Sequence, residues 1–314
     1  PLLKMVQNWI DSGKVGKISE VKVWTNRPVW PQGVKMQTPN PSLKPDSLDW
    51  NLWLGPARQK PYTPNLHPFN WRGWWEYGTG ALGDVGCHLI DIPFRTLGLK
   101  YPKSAECSVG SVFTKMWNPD YHPEGCPPSS LITLNFDSTE KSKSPIELTW
   151  TDGGIRPPHP DIIPADSDIG GPDSQNGVLM IGEKGIISTN INDSSPLTPK
   201  LYLYDGQTEF GPETEDMPEP EYGHQRKWVD ACKAGFRSKE HLDLTSSFDY
   251  AGPMTETVLM GNLAIRSYML RNEKSKGGFD YYARKKLLWD GDNMKITNIE
   301  EANQFVTREY REGW

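Results

Sequence analysis

The sequence predicts an α+β fold: a large, open, mostly antiparallel sheet with helices on one face. Candidate strands follow one another at 104–113, 130–136, 146–151, 177–181, 185–189 and 200–204. Turns separate them, and no long helix intervenes between most of them, which suits antiparallel pairing and not doubly wound βαβ units. The helical segments lie before and after this run, at 84–91, 222–233 and 248–270. With 314 residues the chain can form one large domain or two ordinary ones.

In order, residues 1–12 read as a helix with Leu2, Leu3, Val6, Trp9 and Ile10 at helical spacing, ended by Ser12-Gly13. A domain rarely opens on an exposed apolar stripe, so this one implies a preceding segment that covers it. Residues 15–25 alternate apolar and polar, the pattern of a half-buried strand. Residues 27–45, rich in Pro, Gly and polar types and carrying Trp30, read as a long functional loop or lid. Residues 47–56 predict a short aromatic helix closed by Gly55-Pro56. After the strand at 146–151, a segment beginning Gly153-Gly154-Ile155-Arg156 predicts an insertion loop at a sheet end, near a ligand. The helix at 222–233 places Trp228, Val229 and Cys232 on one side. The helix at 248–270 carries Met254, Val258, Leu259, Leu263, Ile265 and Met269. Residues 287–297 predict a hairpin or strand with a tight Asp290-Gly291 turn, and 299–310 a terminal helix.

Composition narrows the function. A net charge of −6 argues against nucleic acid and anionic membranes as partners. There is no run of 18 apolar residues, hence no membrane span. Cys87, Cys107, Cys126 and Cys232 form no CxxC pair, so no zinc ribbon or thioredoxin-type centre is expected, and the compartment stays open. The 13 tryptophans suit flat amphipathic ligands, sugars foremost, and suit core packing equally.

The chemistry concentrates between His67 and Asp91. Asp84, His88 and Asp91 fall within about 60° of one helix face, with Val85, Leu89 and Ile92 a quarter-turn away as the buried stripe. A carboxylate beside an imidazole raises its pKa and fixes its tautomer, which general acid/base chemistry needs; a structurally satisfied histidine is the plain alternative. A metal site is disfavoured, because three ligands along one helix cannot converge on one ion. Arg27, Trp30, Trp71, Arg72 and Trp74 can form a sugar platform, and Asp152, Arg156 and His159 a second polar set; packing and solvated loop are the respective alternatives. Gly78-Thr79-Gly80-Ala81-Leu82-Gly83 spells the dinucleotide fingerprint GxGxxG. Arg72-Gly73-Trp74-Trp75-Glu76-Tyr77 before it is not a buried parallel strand, so these glycines read as turn and packing residues.

The run from Trp71 to Asp91 resembles the Gfo/Idh/MocA oxidoreductases, the family of glucose-fructose oxidoreductase and inositol dehydrogenase. Ile10 to Glu20, Ser47 to Pro56, Tyr250 to Arg266 and Leu288 to Trp314 resemble it too. The resemblance implies a Rossmann domain binding NAD or NADP, followed by a C-terminal domain with an open antiparallel sheet. It implies that residues 1–17 are the last helix and crossover of that Rossmann domain, and 18–314 the substrate and catalytic domain. It assigns His88 as the acid/base acting on a sugar or polyol hydroxyl and Asp84 as its orienting partner. Arg27, Trp30, Trp71, Arg72, Trp74, Asp91, Asp152 and Arg156 are then the candidate substrate residues. The family's cofactor fingerprint is absent here, so no cofactor-binding residue is assigned, and no metal ligand either. The alternatives are an NAD-dependent glycosidase of the same superfamily and a non-catalytic carbohydrate-binding or scaffold protein. A homo-oligomer through the open sheet face is expected. The compartment is undecided, cytoplasmic by default and exported possible.

Overall fold

The computed structural model describes residues 2–190, 199–211, 222–273 and 279–314. The helices are α1 (Leu2–Asp11), α2 (Trp50–Leu54), α3 (Gly80–Leu89), α4 (Asp91–Thr96), α5 (Gly223–Ala234), α6 (Lys239–Leu242) and α7 (Phe248–Tyr268). The strands are β1 (Ile18–Trp24), β2 (Ser104–Val109), β3 (Ser130–Phe136), β4 (Ile146–Thr151), β5 (Gly177–Gly182), β6 (Gly185–Thr189), β7 (Lys200–Leu203) and β8 (Thr208–Phe210). After α7 come β9 (Arg271–Glu273), β10 (Phe279–Tyr281), β11 (Leu287–Asp290) and β12 (Lys295–Ile296).

Ten of these strands form one sheet in the order β12-β11-β2-β3-β4-β1-β5-β6-β7-β8. Only β1 and β4 pair in parallel among the described residues, with Val21 opposite Leu148 and Val23 opposite Trp150. Alternation decides which face is covered. In β3, Ser130, Ile132, Leu134 and Phe136 are buried while Leu131, Thr133 and Asn135 are not. The buried face carries the helices: α7 lies on β2 and β3, α3 against α7, and α1 against α4. Mid-sheet, the other face is polar, with Glu20, Lys22, Thr133, Asn135 and Thr149 half-buried.

The structure adds detail to the expectations from sequence and corrects the terminal helix. In α1, Val6, Trp9 and Ile10 are buried in the same core as α4. The loop after β4 lies partly over the sheet. Ile163 and Ile169 pack over the outer face on Trp24, Leu179, Ile186 and Tyr202, and Trp24 Nε1 donates to Ser174 O at 2.8 Å. The side chains of Trp228, Val229 and Cys232 on α5 are exposed instead of forming a packed face. The terminal helix is a short 3-10 turn at Glu300–Phe305. The short strands β8, β9 and β10 lacked any alternation long enough to predict them.

Candidate active site

The loop before α3 folds around aromatic rings. Asp49 caps α2, accepting from Leu52 N at 3.0 Å, and so fixes Trp50 and Trp53, which stack at 4.5 Å. Trp50, Leu54, Tyr62, Leu66 and Trp74 form a separate buried cluster, with Trp71 half-buried against it. On its border sits Arg72. Its guanidinium lies 4.5 Å from the rings of Phe69 and Trp71 and 5.8 Å from that of Trp30. Its Nε donates to Asp84 Oδ1 at 2.8 Å. Arg72 therefore ties the aromatic loop to the first turns of α3.

The glycine run does what its surroundings require. A Cβ on Gly78 would stand 2.7 Å from the Arg72 Cα, and Gly80 has φ of +64° with Cys126 Sγ 3.0 Å from where its Cβ would be. The residues before it form a 3-10 turn, Asn70–Gly73, and not a strand. Close approach and a left-handed turn account for these glycines, and the dinucleotide-loop reading has no structural support.

Beyond that turn, α3 carries His88 to the wall of a cleft of about 720 Å³. His88 is exposed, and Thr79, Cys87, Asp91, Arg95, His224 and Tyr250 share the wall. Tyr250 OH donates a short hydrogen bond to Asp91 Oδ1, and Arg95 Nη2 reaches the same oxygen at 3.3 Å. Arg95 also stacks 4.0 Å over the Tyr250 ring and donates to Thr245 O at 2.9 Å. Burial, and then the Asp91 carboxylate, push the Tyr250 phenol well above its ordinary pKa, so it stays a proton donor. Asp91 is thus an oriented acceptor on the cleft wall.

Of the sequence-predicted residues, His88 and Asp91 line this cleft, and the rest do not. Asp84 is turned to Arg72. Trp30 is buried, with its Nε1 donating to Gln32 Oε1 at 2.8 Å, and Trp74 is a buried core ring. Arg27 bonds its neighbour Asn26 at 2.8 Å, and its carbonyl accepts from Gly153 N at 2.6 Å. Arg156 is exposed on the loop after β4. Asp152 is buried beneath that loop, accepting from Ser130 N at 2.5 Å, Ser130 Oγ at 2.8 Å and Trp150 Nε1 at 3.0 Å. It is a strand-end staple, not a ligand group. Tyr250 and His224 escaped sequence reasoning because each lies well over a hundred residues from α3. Arg95 did leave a signal, its i, i+4 spacing from Asp91.

Residues 3–108 match the protein-family model described as the oxidoreductase family, C-terminal alpha/beta domain, of the Gfo/Idh/MocA group. The match takes in α3 with both Asp84 and His88. No curated protein sequence matches the chain. Among solved structures, aldose-aldose oxidoreductase from Caulobacter crescentus, complexed with glycerol, is 11% identical with a TM-score of 0.46, over 84% of this chain and 58% of that one. The WlbA dehydrogenase from Bordetella pertussis, in complex with NADH and UDP-GlcNAcA, is 12% identical at 0.41, over 85% and 58%. A super-repressor mutant of Gal80p from Saccharomyces cerevisiae is 14% identical at 0.42, over 85% and 58%. The chain thus spans about 58% of the length of each of these three structures.

Proposed function

We propose that this chain is the substrate-binding and proton-transfer portion of an NAD(P)-dependent oxidoreductase acting on sugar or polyol hydroxyls. The observation that carries the reading is the exposed His88 imidazole on the family-matched helix, at the wall of a cleft of about 720 Å³ that it shares with Asp91, Arg95, His224 and Tyr250. That volume lies within the range of small-ligand sites. In this reading His88 accepts the proton of the hydroxyl being oxidised. Asp91, held by Tyr250 and Arg95, accepts a hydrogen bond from a neighbouring hydroxyl. Asp84 acts at a distance, fixing α3 through Arg72. The glycine run at 78–83 does not fit a dinucleotide loop, since its glycines are closed against Arg72, Thr79 and Cys126. NAD or NADP is then held outside this chain, in an associated Rossmann domain.

The test joins this chain to a dinucleotide-binding domain and follows nicotinamide reduction at saturating polyol. His88→Ala should lower turnover by about 10²–10⁴-fold while the circular dichroism spectrum is retained. Unchanged turnover would remove His88 from the chemistry. One observation favours a non-catalytic carbohydrate-binding reading: arginines already hold both carboxylates that flank His88. Sugar binding to the chain with no turnover in the joined protein would decide for that reading. We further propose the polar open face of the sheet as a subunit contact, and a monomer by light scattering would exclude it.

A further inference from the structure

A second cleft, of about 710 Å³, runs along α7 on the other side of the ridge made by Ala251, Thr255 and Leu259. Its walls are apolar, with Trp75, Met260, Leu263, Trp289, Phe305 and Val306 among them. Two polar side chains on this wall lack partners. Asn262 is 4% exposed, and neither its Oδ1 nor its Nδ2 has a hydrogen-bond partner among the described residues. An orphaned buried amide is costly and rare, so each one asks for an explanation.

The second is Arg266, one helical turn further on. It makes no ion pair and no side-chain hydrogen bond among the described residues. Its guanidinium is stacked 4.1 Å from the Phe305 ring and 5.7 Å from the Trp75 ring. Stacking covers the flat faces of the guanidinium and leaves its N–H edge as the donor surface. The nearest charges do not neutralise it. Glu76 already receives Lys60 at 3.0 Å and Arg308 at 3.8 Å. Glu256, also on the cleft wall, accepts from Trp289 Nε1 at 2.7 Å and sits ten residues back, about 15 Å along the helix axis. The cleft therefore has a cationic end and an acidic end, joined by an apolar floor.

We propose that this cleft binds a small organic carboxylate with an apolar or aromatic body. The carboxylate lies on the N–H edge of Arg266, a hydrogen-bonding group of the ligand meets Asn262, and the body packs between Trp75, Phe305 and the aliphatic side chains of α7. A carboxylate suits the site better than a phosphate. One planar fork matches two oxygens, no lysine lines the cleft, and Glu256 and Asp249 at its other end would oppose a dianion. This site is separate from the His88 cleft and does not depend on the function proposed for it.

The experiment is a ¹H–¹⁵N NMR titration of the chain with benzoate and phenylacetate, using benzamide and phenyl phosphate as comparison probes. Benzoate should bind saturably in the millimolar range or tighter and move the Asn262 side-chain amide and Arg266 Nε resonances. Arg266→Met, which keeps an apolar stem between the rings, should weaken benzoate by about tenfold or more. Asn262→Leu should weaken it several-fold and raise the melting temperature, because the orphaned amide is gone. Should Arg266→Met fail to fold, Arg266→Lys keeps the charge without the fork and should still weaken binding. The proposal is overturned if neither carboxylate binds, if benzamide binds as well as benzoate, or if phenyl phosphate binds more tightly. Unchanged benzoate affinity in these variants overturns it too.

Discussion

Asp152 carries its charge at a cost that can be measured. Its carboxyl is 3% exposed at the end of β4, and three donors from Ser130 and Trp150 surround it. Burial is the largest influence and pushes its pKa up to about 6, from an ordinary 3.8, while the three donors pull the other way. The folded value lies above the unfolded one, so the native state holds the proton more tightly. The resulting stability is fully present below pH 3.8 and is lost as pH rises through about 6. At 1.36 kcal/mol per unit the whole effect is about 3 kcal/mol, of which about 2 kcal/mol disappears between about pH 4.5 and 7. Asp152→Asn has no proton to lose there. It keeps an acceptor for the Ser130 N–H and loses the one facing Trp150 Nε1, at about 1–2 kcal/mol independent of pH. Urea unfolding of both proteins across this range gives the comparison. The stability of the parent relative to Asp152→Asn should fall by about 2 kcal/mol as pH rises from about 4.5 to 7. A flat difference, or one that grows with pH, would refute the argument, because the donors would then outweigh burial.

Four further substitutions test the fold and the site. Gly78→Ala must displace the Arg72 backbone and should cost about 2 kcal/mol in urea unfolding. Gly83→Ala would place its Cβ 2.4 Å from the Thr79 Cβ, which side-chain rotation cannot move, so despite a helix-propensity gain of about 1 kcal/mol it should be destabilising by about 1–2 kcal/mol in urea unfolding. Val6→Asp buries a carboxylate in the core and should cost about 4 kcal/mol or more, seen as loss of the cooperative thermal transition near its parent temperature. Tyr250→Phe keeps the ring over which Arg95 stacks and removes only the hydrogen bond to Asp91. It should lower stability by about 1 kcal/mol and weaken polyol binding in a calorimetric titration.

The sheet was legible in the sequence because alternation is a local signal. Ile132 and Leu134 against Thr133 and Asn135 announce a covered and an open face without any knowledge of partners. The order of the strands was not legible, since placing β1 between β4 and β5 joins segments more than a hundred residues apart. The same limit governs the site. His88 and Asp91 share a helix surface, so spacing alone found them. The partners of Asp91 divide by distance along the chain: Arg95 is four residues away, Tyr250 is 159 away, and only the first was within reach of periodicity. Trp30, Trp74 and Asp152 drew attention through their residue types. A tryptophan or an aspartate signals sugar binding and core packing alike until its burial is known.

The two carboxylates on α3 and α4 bear differently on His88. Spacing suggests a carboxylate–imidazole–carboxylate edge in which both acids raise the basicity of the ring. The structure gives each acid an arginine: Asp84 has Arg72 at 2.8 Å, and Asp91 has Arg95 at 3.3 Å. An adjacent cation offsets most of the field a carboxylate would exert on a third group. Two charge-compensated pairs therefore flank His88 instead of two bare anions. The arrangement differs from the edge that spacing suggests. It also separates the two acids. Asp84 sits under the aromatic loop, where Arg72 holds it, and its influence is positional. Asp91 lies on the cleft wall beside Tyr250, a phenol that stays protonated.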